Sequence, residues 1–136
     1  MKELTIEASL NNLDQVLLFV DTQLETVGCP MKTQMKIDVA VEEIFVNIAS
    51  YAYVPATGQA VIQIDFEQNP DTAVITFIDR GIPYDPLEKS DPDVTLSIQE
   101  RQIGGLGIFM VKKSMDDMTY QYLDGQNILT LRKVLK

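Results

Sequence analysis

Apolar and polar positions along this chain repeat with two different periods, and each change of period marks the border of an element. Between Lys2 and Ser9 the two kinds alternate, with Leu4, Ile6 and Ala8 on one side, which predicts a β-strand. Leu13, Val16, Leu17, Val20, Leu24 and Val27 then recur at helical spacing. Asn11 and Asn12 can cap this helix, and Gly28 suits its C-terminal stop. Pro30 fits the first turn of a second helix, which carries Ile37, Val41, Ile44, Phe45, Ile48 and Ala52 on its inner side. It runs to about Tyr53, where Val54-Pro55-Ala56-Thr57-Gly58 breaks it.

Two strands follow. Ala60, Ile62, Ile64 and Phe66 alternate with Gln63, Asp65 and Glu67. After a turn at Asn69-Pro70-Asp71, the run from Ala73 to Ile78 is nearly continuous and apolar, as in a central strand, and Asp79 sits at its end. From Arg80 to Ile103 no period persists; Pro83, Pro86, Pro92 and several acidic residues make this a long loop. Such a loop in a compact domain is either functional or disordered. Helical spacing returns from Gly105 to about Ser114. Met118 to Leu123 and Asn127 to Val134 read as strands joined at Asp124-Gly125, a hairpin signal. This order predicts an α+β fold, a two-layer α/β sandwich with helices on one face of a mixed, mainly antiparallel sheet.

Three segments on this framework carry candidate chemistry. Glu43 and Asn47 lie four residues apart on the second helix, so they share a face at the edge of its apolar stripe. A carboxylate there can orient or deprotonate a nucleophile, and an amide oxygen is a hard ligand suited to Mg²⁺. The same spacing also suits a plain solvated helix face. Asp79-Arg80-Gly81-Ile82-Pro83 follows the apolar strand; its carboxylate can accept from the exocyclic amine of adenine, and Gly81 leaves room for a flat ring. A simple turn uses the same residues. Gly104-Gly105-Leu106-Gly107 opens the third helix, where backbone N–H groups can approach an anion. It matches neither a P-loop nor a Rossmann fingerprint, and a flexible hinge or lid border is the alternative.

Composition narrows the chemistry further. With 136 residues, 46% of them hydrophobic, the chain suits one domain with a real core. Eleven basic against 20 acidic residues give a net charge of -9, which repels phosphate backbones and anionic lipid. Neither nucleic acid nor a membrane is therefore an expected partner; the charge suits a basic protein surface or simple solubility. There is no histidine, which excludes histidine bases and HExxH zinc sites. The single cysteine, Cys29, excludes an internal disulfide and a thiolate zinc cluster. Carboxylates must do any acid–base work. No signal-like opening and no apolar run near the ~20 residues of a bilayer span leads to an expected cytoplasmic location.

Taken in this order, Glu43-x-x-x-Asn47, Asp79-x-Gly81-x-Pro83 and Gly104-Gly105-Leu106-Gly107 resemble the gyrase, chaperone, histidine-kinase and MutL (GHKL) ATPase superfamily. The short chain, the stub-like lid and the string Gly-Gly-Leu-Gly-Ile-Phe-Met-Val-Lys are most similar to bacterial anti-sigma-factor serine/threonine kinases. The resemblance implies a Bergerat-type fold over a single domain, 1–136, with a short ATP lid at about 80–104. It implies ATP and Mg²⁺ as cofactors, Glu43 as general base and Asn47 as Mg²⁺ ligand. Asp79, with Gly81 and Pro83 after it, would bind adenine. Gly104, Gly105, Leu106 and Gly107 would lie near the phosphates, and Thr130 would assist at the base. It further implies an anti-sigma factor that phosphorylates a serine on an anti-anti-sigma protein and sequesters a sigma factor, commonly as a homodimer. Three features depart from the pattern: Tyr51 stands where a histidine is frequent, Ile103 stands where some kinases have arginine, with Arg101 nearby, and the long loop is acidic, which does not help to hold a triphosphate. The alternatives are a nucleotide-sensing module that switches partners with little catalysis and, more distantly, the ATP-binding domain of a histidine kinase.

Overall fold

The computed structural model describes residues 1–87 and 105–135. Its strands are β1 (Lys2–Glu7), β2 (Gln59–Glu67), β3 (Thr72–Asp79), β4 (Asp117–Leu123) and β5 (Gln126–Val134); its α-helices are α1 (Leu13–Thr26), α2 (Met31–Asn47) and α3 (Gly105–Ser114). The strands form one sheet in the order β1-β2-β3-β5-β4. The sheet expected to be mixed and mainly antiparallel is antiparallel at every described pairing.

Alternation decides which face is covered. Ala60, Ile62 and Ile64 of β2, Ala73, Ile75 and Phe77 of β3, and Leu129 and Leu131 of β5 are buried on one side. They share a single core with Val16, Val20 and Leu24 of α1, Ile37, Val41 and Phe45 of α2, and Ile108 and Val111 of α3. All three helices thus lie on one sheet face, which gives two layers. Each fully buried aliphatic or aromatic side chain contributes roughly 1.5–3 kcal/mol.

The ends of the elements follow local chemistry. Ser9, rather than Asn11 or Asn12, caps the chain after β1: its hydroxyl accepts from Asn11 N–H at 3.3 Å and opens a short 3₁₀ turn, Leu10–Asn12. Asn12 instead donates to the Glu7 carbonyl at 3.0 Å. Gly28 ends α1 with φ of 68°. The β4–β5 hairpin turns at Asp124 and Gly125, with φ of 53° and 78°, as a two-residue primed turn requires. α2 ends at Asn47, and the chain widens into a π-helical turn, Ile48–Ala52. Such turns cluster at functional sites.

Candidate nucleotide site

A cavity of ≈ 330 Å³ opens between the end of α2, its π turn, β3, β5 and α3. Ile44, Ile48, Phe77, Ile108 and Leu129 make it apolar, Tyr51, Tyr84 and Tyr120 add rings, and Asn47 and Asn127 are its amides. An apolar cleft with few fixed polar groups is the usual form of a small-molecule site.

The first and third sequence motifs meet here. A Cβ added at Gly107 would overlap the Glu43 carboxylate, so α2 touches the first turn of α3 here and a larger residue would displace that carboxylate. Ile108, next to Gly107, lines the cavity, as does Asn47, one turn beyond Glu43. Burial, with the charge of Glu42 second, pushes the Glu43 carboxyl above its ordinary value. A half-buried carboxylate of raised basicity fits a proton acceptor.

Of the second motif, Ile82 lines the cavity, and Asp79 is tied to it through the lining residue Asn127. Asp79 ends β3 and is 7% exposed. Its Oδ1 accepts from Gly81 N–H at 2.9 Å and from Asn127 Nδ2 at 2.9 Å. Both bonds fall on Oδ1, so among the described residues Oδ2 is the oxygen left for a ligand donor. The requirement for Gly81 comes from the protein itself, because a Cβ there would strike the Ala52 carbonyl at the end of the π turn. Ile82 N–H donates to that same carbonyl at 3.0 Å. Tyr53 adds a second tie, its hydroxyl accepting from Arg80 N–H at 2.8 Å and donating to the Gln59 carbonyl.

Asn127 is the lining residue that motif reading missed. It is 6% exposed and uses its whole amide. Nδ2 donates to Asp79 Oδ1 and, at 2.9 Å, to the Ile82 carbonyl, with the Gly81 carbonyl at 3.4 Å. Oδ1 accepts from Tyr84 N–H at 3.1 Å and from the Tyr120 hydroxyl. Burial pushes the Tyr120 phenol up, which keeps it a donor through neutral pH. Asn127 therefore fixes Asp79 and pins the segment 81–84 beside it. The signal was available: Asn127 shares strand parity with Leu129 and Leu131, which marks it as a polar residue on the core face.

The same parity moves Thr130 to the other side of the sheet. It pairs with Thr76, their hydroxyls 3.3 Å apart, and borders a separate shallow hollow with Thr119 and Ile128. The structure does not bring it to the cavity. Pro83 is exposed between Ile82 and Tyr84. Gly105 and Leu106 begin α3, whereas Gly104, Arg101 and Ile103 lie outside the described residues, with most of the lid expected at about 80–104. Among the described residues, no group of three or more His, Cys, Asp or Glu could hold a metal ion. A cation at this site would take Asn47 and the oxygens of its own ligand, which fits Mg²⁺ held by a nucleotide. Among the described residues no helix is long and apolar enough to cross a membrane.

Comparison with known proteins places the family and the fold. The family model described as "Histidine kinase-like ATPase domain" matches residues 6–133, and the chain belongs to that family. It is 32% identical over 90 residues to the serine/threonine-protein kinase BtrW of Bordetella bronchiseptica, a match covering 66% of this chain and 63% of that protein. It is 25% identical to the serine-protein kinase RsbW of Staphylococcus aureus, over 98% of this chain and 86% of the relative. The crystal structure of the RsbU and RsbW domains of Rv1364c from Mycobacterium tuberculosis superposes with a TM-score of 0.68 at 17% identity, covering 99% of this chain and 33% of that one. The sheet, the three helices and their arrangement are those of the GHKL-like ATPase fold, and the family implies ATP binding.

Proposed function

We propose that this chain, as a single domain, is an ATP- and Mg²⁺-dependent serine/threonine protein kinase that phosphorylates an anti-anti-sigma protein and holds a sigma factor. The observation that carries the reading is the contact of Glu43 with the first turn of α3 at Gly107, next to Ile108 and one turn from Asn47, which line the cavity, with Asp79 tied to the lining residue Asn127. The kinase names of the relatives supply the reaction class.

In this reading Asp79 Oδ2 accepts from the adenine amine, and the apolar walls take the ring. Gly107 and the N–H groups of the first α3 turn face the phosphates, where a helix N-terminus favours negative charge. Asn47 lends its amide oxygen to Mg²⁺, which when bound neutralises charge on the phosphates. Glu43 takes the proton of the partner's serine hydroxyl as that oxygen bonds to the terminal phosphorus and the bond to the leaving ADP breaks. Its raised basicity places the acid limb of activity above the ordinary glutamate range, near pH ~4.3.

The test is Glu43→Gln with the purified partner. Phosphotransfer should fall about 100-fold or more, with ATP binding and partner binding kept. Transfer at the wild-type rate would sink the catalytic assignment. The second reading, a nucleotide-sensing module of low turnover, is favoured by Tyr51, which stands at the cavity wall where a histidine is frequent. Under it, wild type and variant bind nucleotide and partner alike and neither transfers phosphate.

A further inference from the structure

The α1–α2 interface holds a second polar cluster that the nucleotide site does not use. Asp21 of α1 and Asp38 of α2 each bury Oδ1, and neither atom has a hydrogen-bond partner among the described residues. Val20 and Leu24 flank Asp21 on its helix, Ile37 and Val41 flank Asp38, and all four are fully buried. The titratable groups that act here are Asp21, Asp38 and the Cys29 thiol from the connection between the helices. None is a cation. The other charged residues of α1 and α2 near them, Asp14, Glu25, Lys32, Lys36 and Glu42, are exposed.

Two ionised carboxylates are acceptors only and cannot bond to each other. One proton between them supplies the missing donor and removes one buried charge. Burial, the hydrogen bond with Asp21 and the charge of Asp21, in that order, push the Asp38 carboxyl up to about 8. Burial first, then the two carboxylates, push the Cys29 thiol up as well.

We propose that Asp21 and Asp38 share one proton at neutral pH, and that this proton latches α1 to α2, so that alkaline conditions loosen the helix carrying Glu43 and Asn47. The link to the site rests on the roles proposed for Glu43 and Asn47; the shared proton does not. The folded pair keeps its proton to a higher pH than the unfolded chain. Its contribution to stability is therefore complete below the ordinary aspartate range, near pH ~4, and is lost as pH rises toward about 8.

The experiment is carboxyl carbon-13 NMR titration of the full nucleotide-free chain, paired with thermal unfolding against pH for wild type, Asp21→Asn and Asp38→Asn. Asp38 should titrate far above the ordinary range in wild type and return toward it in Asp21→Asn. The melting temperature of wild type should fall between pH ~6 and pH ~9, and that of Asp38→Asn should fall less, because the amide is a permanent donor. Ordinary titration of both carboxyls, or equal slopes in all three proteins, would overturn the shared proton whether or not the chain is a kinase. Millimolar Mg²⁺ or Ca²⁺ should leave the titration unmoved; a shift would mean that a cation, not a proton, joins the pair. For the latch, ADP affinity should weaken several-fold from pH ~7 to pH ~9 in wild type and stay level in Asp38→Asn. Equal weakening in both would remove the coupling to the site.

Discussion

Two buried polar clusters sit on α2's side of the sheet, and they are built on opposite principles. Around Asn127, donors and acceptors match: one amide serves a carboxylate, a backbone carbonyl, a backbone N–H and a phenol. Between Asp21 and Asp38, two acceptors meet with no donor among the described residues. A satisfied network in a low-dielectric interior is rigid, because every alternative leaves a group unpaired. An unsatisfied pair is held only on terms that the solvent can change, since its missing partner is a proton. The first cluster suits a fixed recognition wall. The second suits an element that responds to conditions.

Substitutions test this contrast, beginning with the largest effect. Asn127→Ala removes the amide that joins Asp79, the Ile82 carbonyl, the Tyr84 N–H and the Tyr120 hydroxyl, at a cost of about 2–4 kcal/mol in denaturant unfolding. Nucleotide affinity should fall with it, as Asp79 loses its orientation. A loss below about 0.5 kcal/mol would break the distinction between the clusters. Next, Asp79→Asn keeps the size of the side chain but turns an acceptor into a donor on one side. Calorimetric titration should show ATP binding weakened about 10- to 100-fold. Tyr120→Phe removes one donor to Asn127 and should cost about 1 kcal/mol, with ATP affinity nearly kept.

At the other cluster the sign reverses. Asp38→Asn should raise the melting temperature by a few degrees at pH ~9 and by less at pH ~5, because the charged pair is disfavoured only where it is ionised. Smallest of all, Thr130→Val should leave ATP affinity within about twofold of wild type, since its hydroxyl meets Thr76 on the open face of the sheet. A larger loss would mean that the site reaches through the sheet.

How much of this was legible beforehand depends on the range of the interaction. Helical spacing from Leu13 to Val27 and alternation from Ala60 to Phe66 set the elements, because each is a local pattern with one buried face. Glu43, Asn47 and Asp79 were legible as motif members. The contact of Glu43 with Gly107 was not, since it depends on how α3 packs on α2. Gly81 was expected to clear a ring, yet its neighbour is Ala52, brought there by the π turn. Thr130 and Asn127 teach a different lesson: both lie in a strand that was recognised, and counting parity from Leu129 separates the face of one from the face of the other. Asp21 and Asp38 read as ordinary flanks of two amphipathic helices; only the register between the helices makes them a pair.

The tyrosines of the cavity wall carry an optical consequence. The chain has five tyrosines and no tryptophan. Three of the five, Tyr51, Tyr84 and Tyr120, border the cavity, while Tyr53 serves the loops behind it and Tyr122 lies on β4. Native emission from this protein therefore comes largely from rings beside the cavity and is not masked by an indole. A purine entering the cleft would dim it directly, giving a label-free reading of occupancy on the unaltered chain, with the loss of signal traced to a ring by replacing Tyr51, Tyr84 and Tyr120 one at a time with phenylalanine.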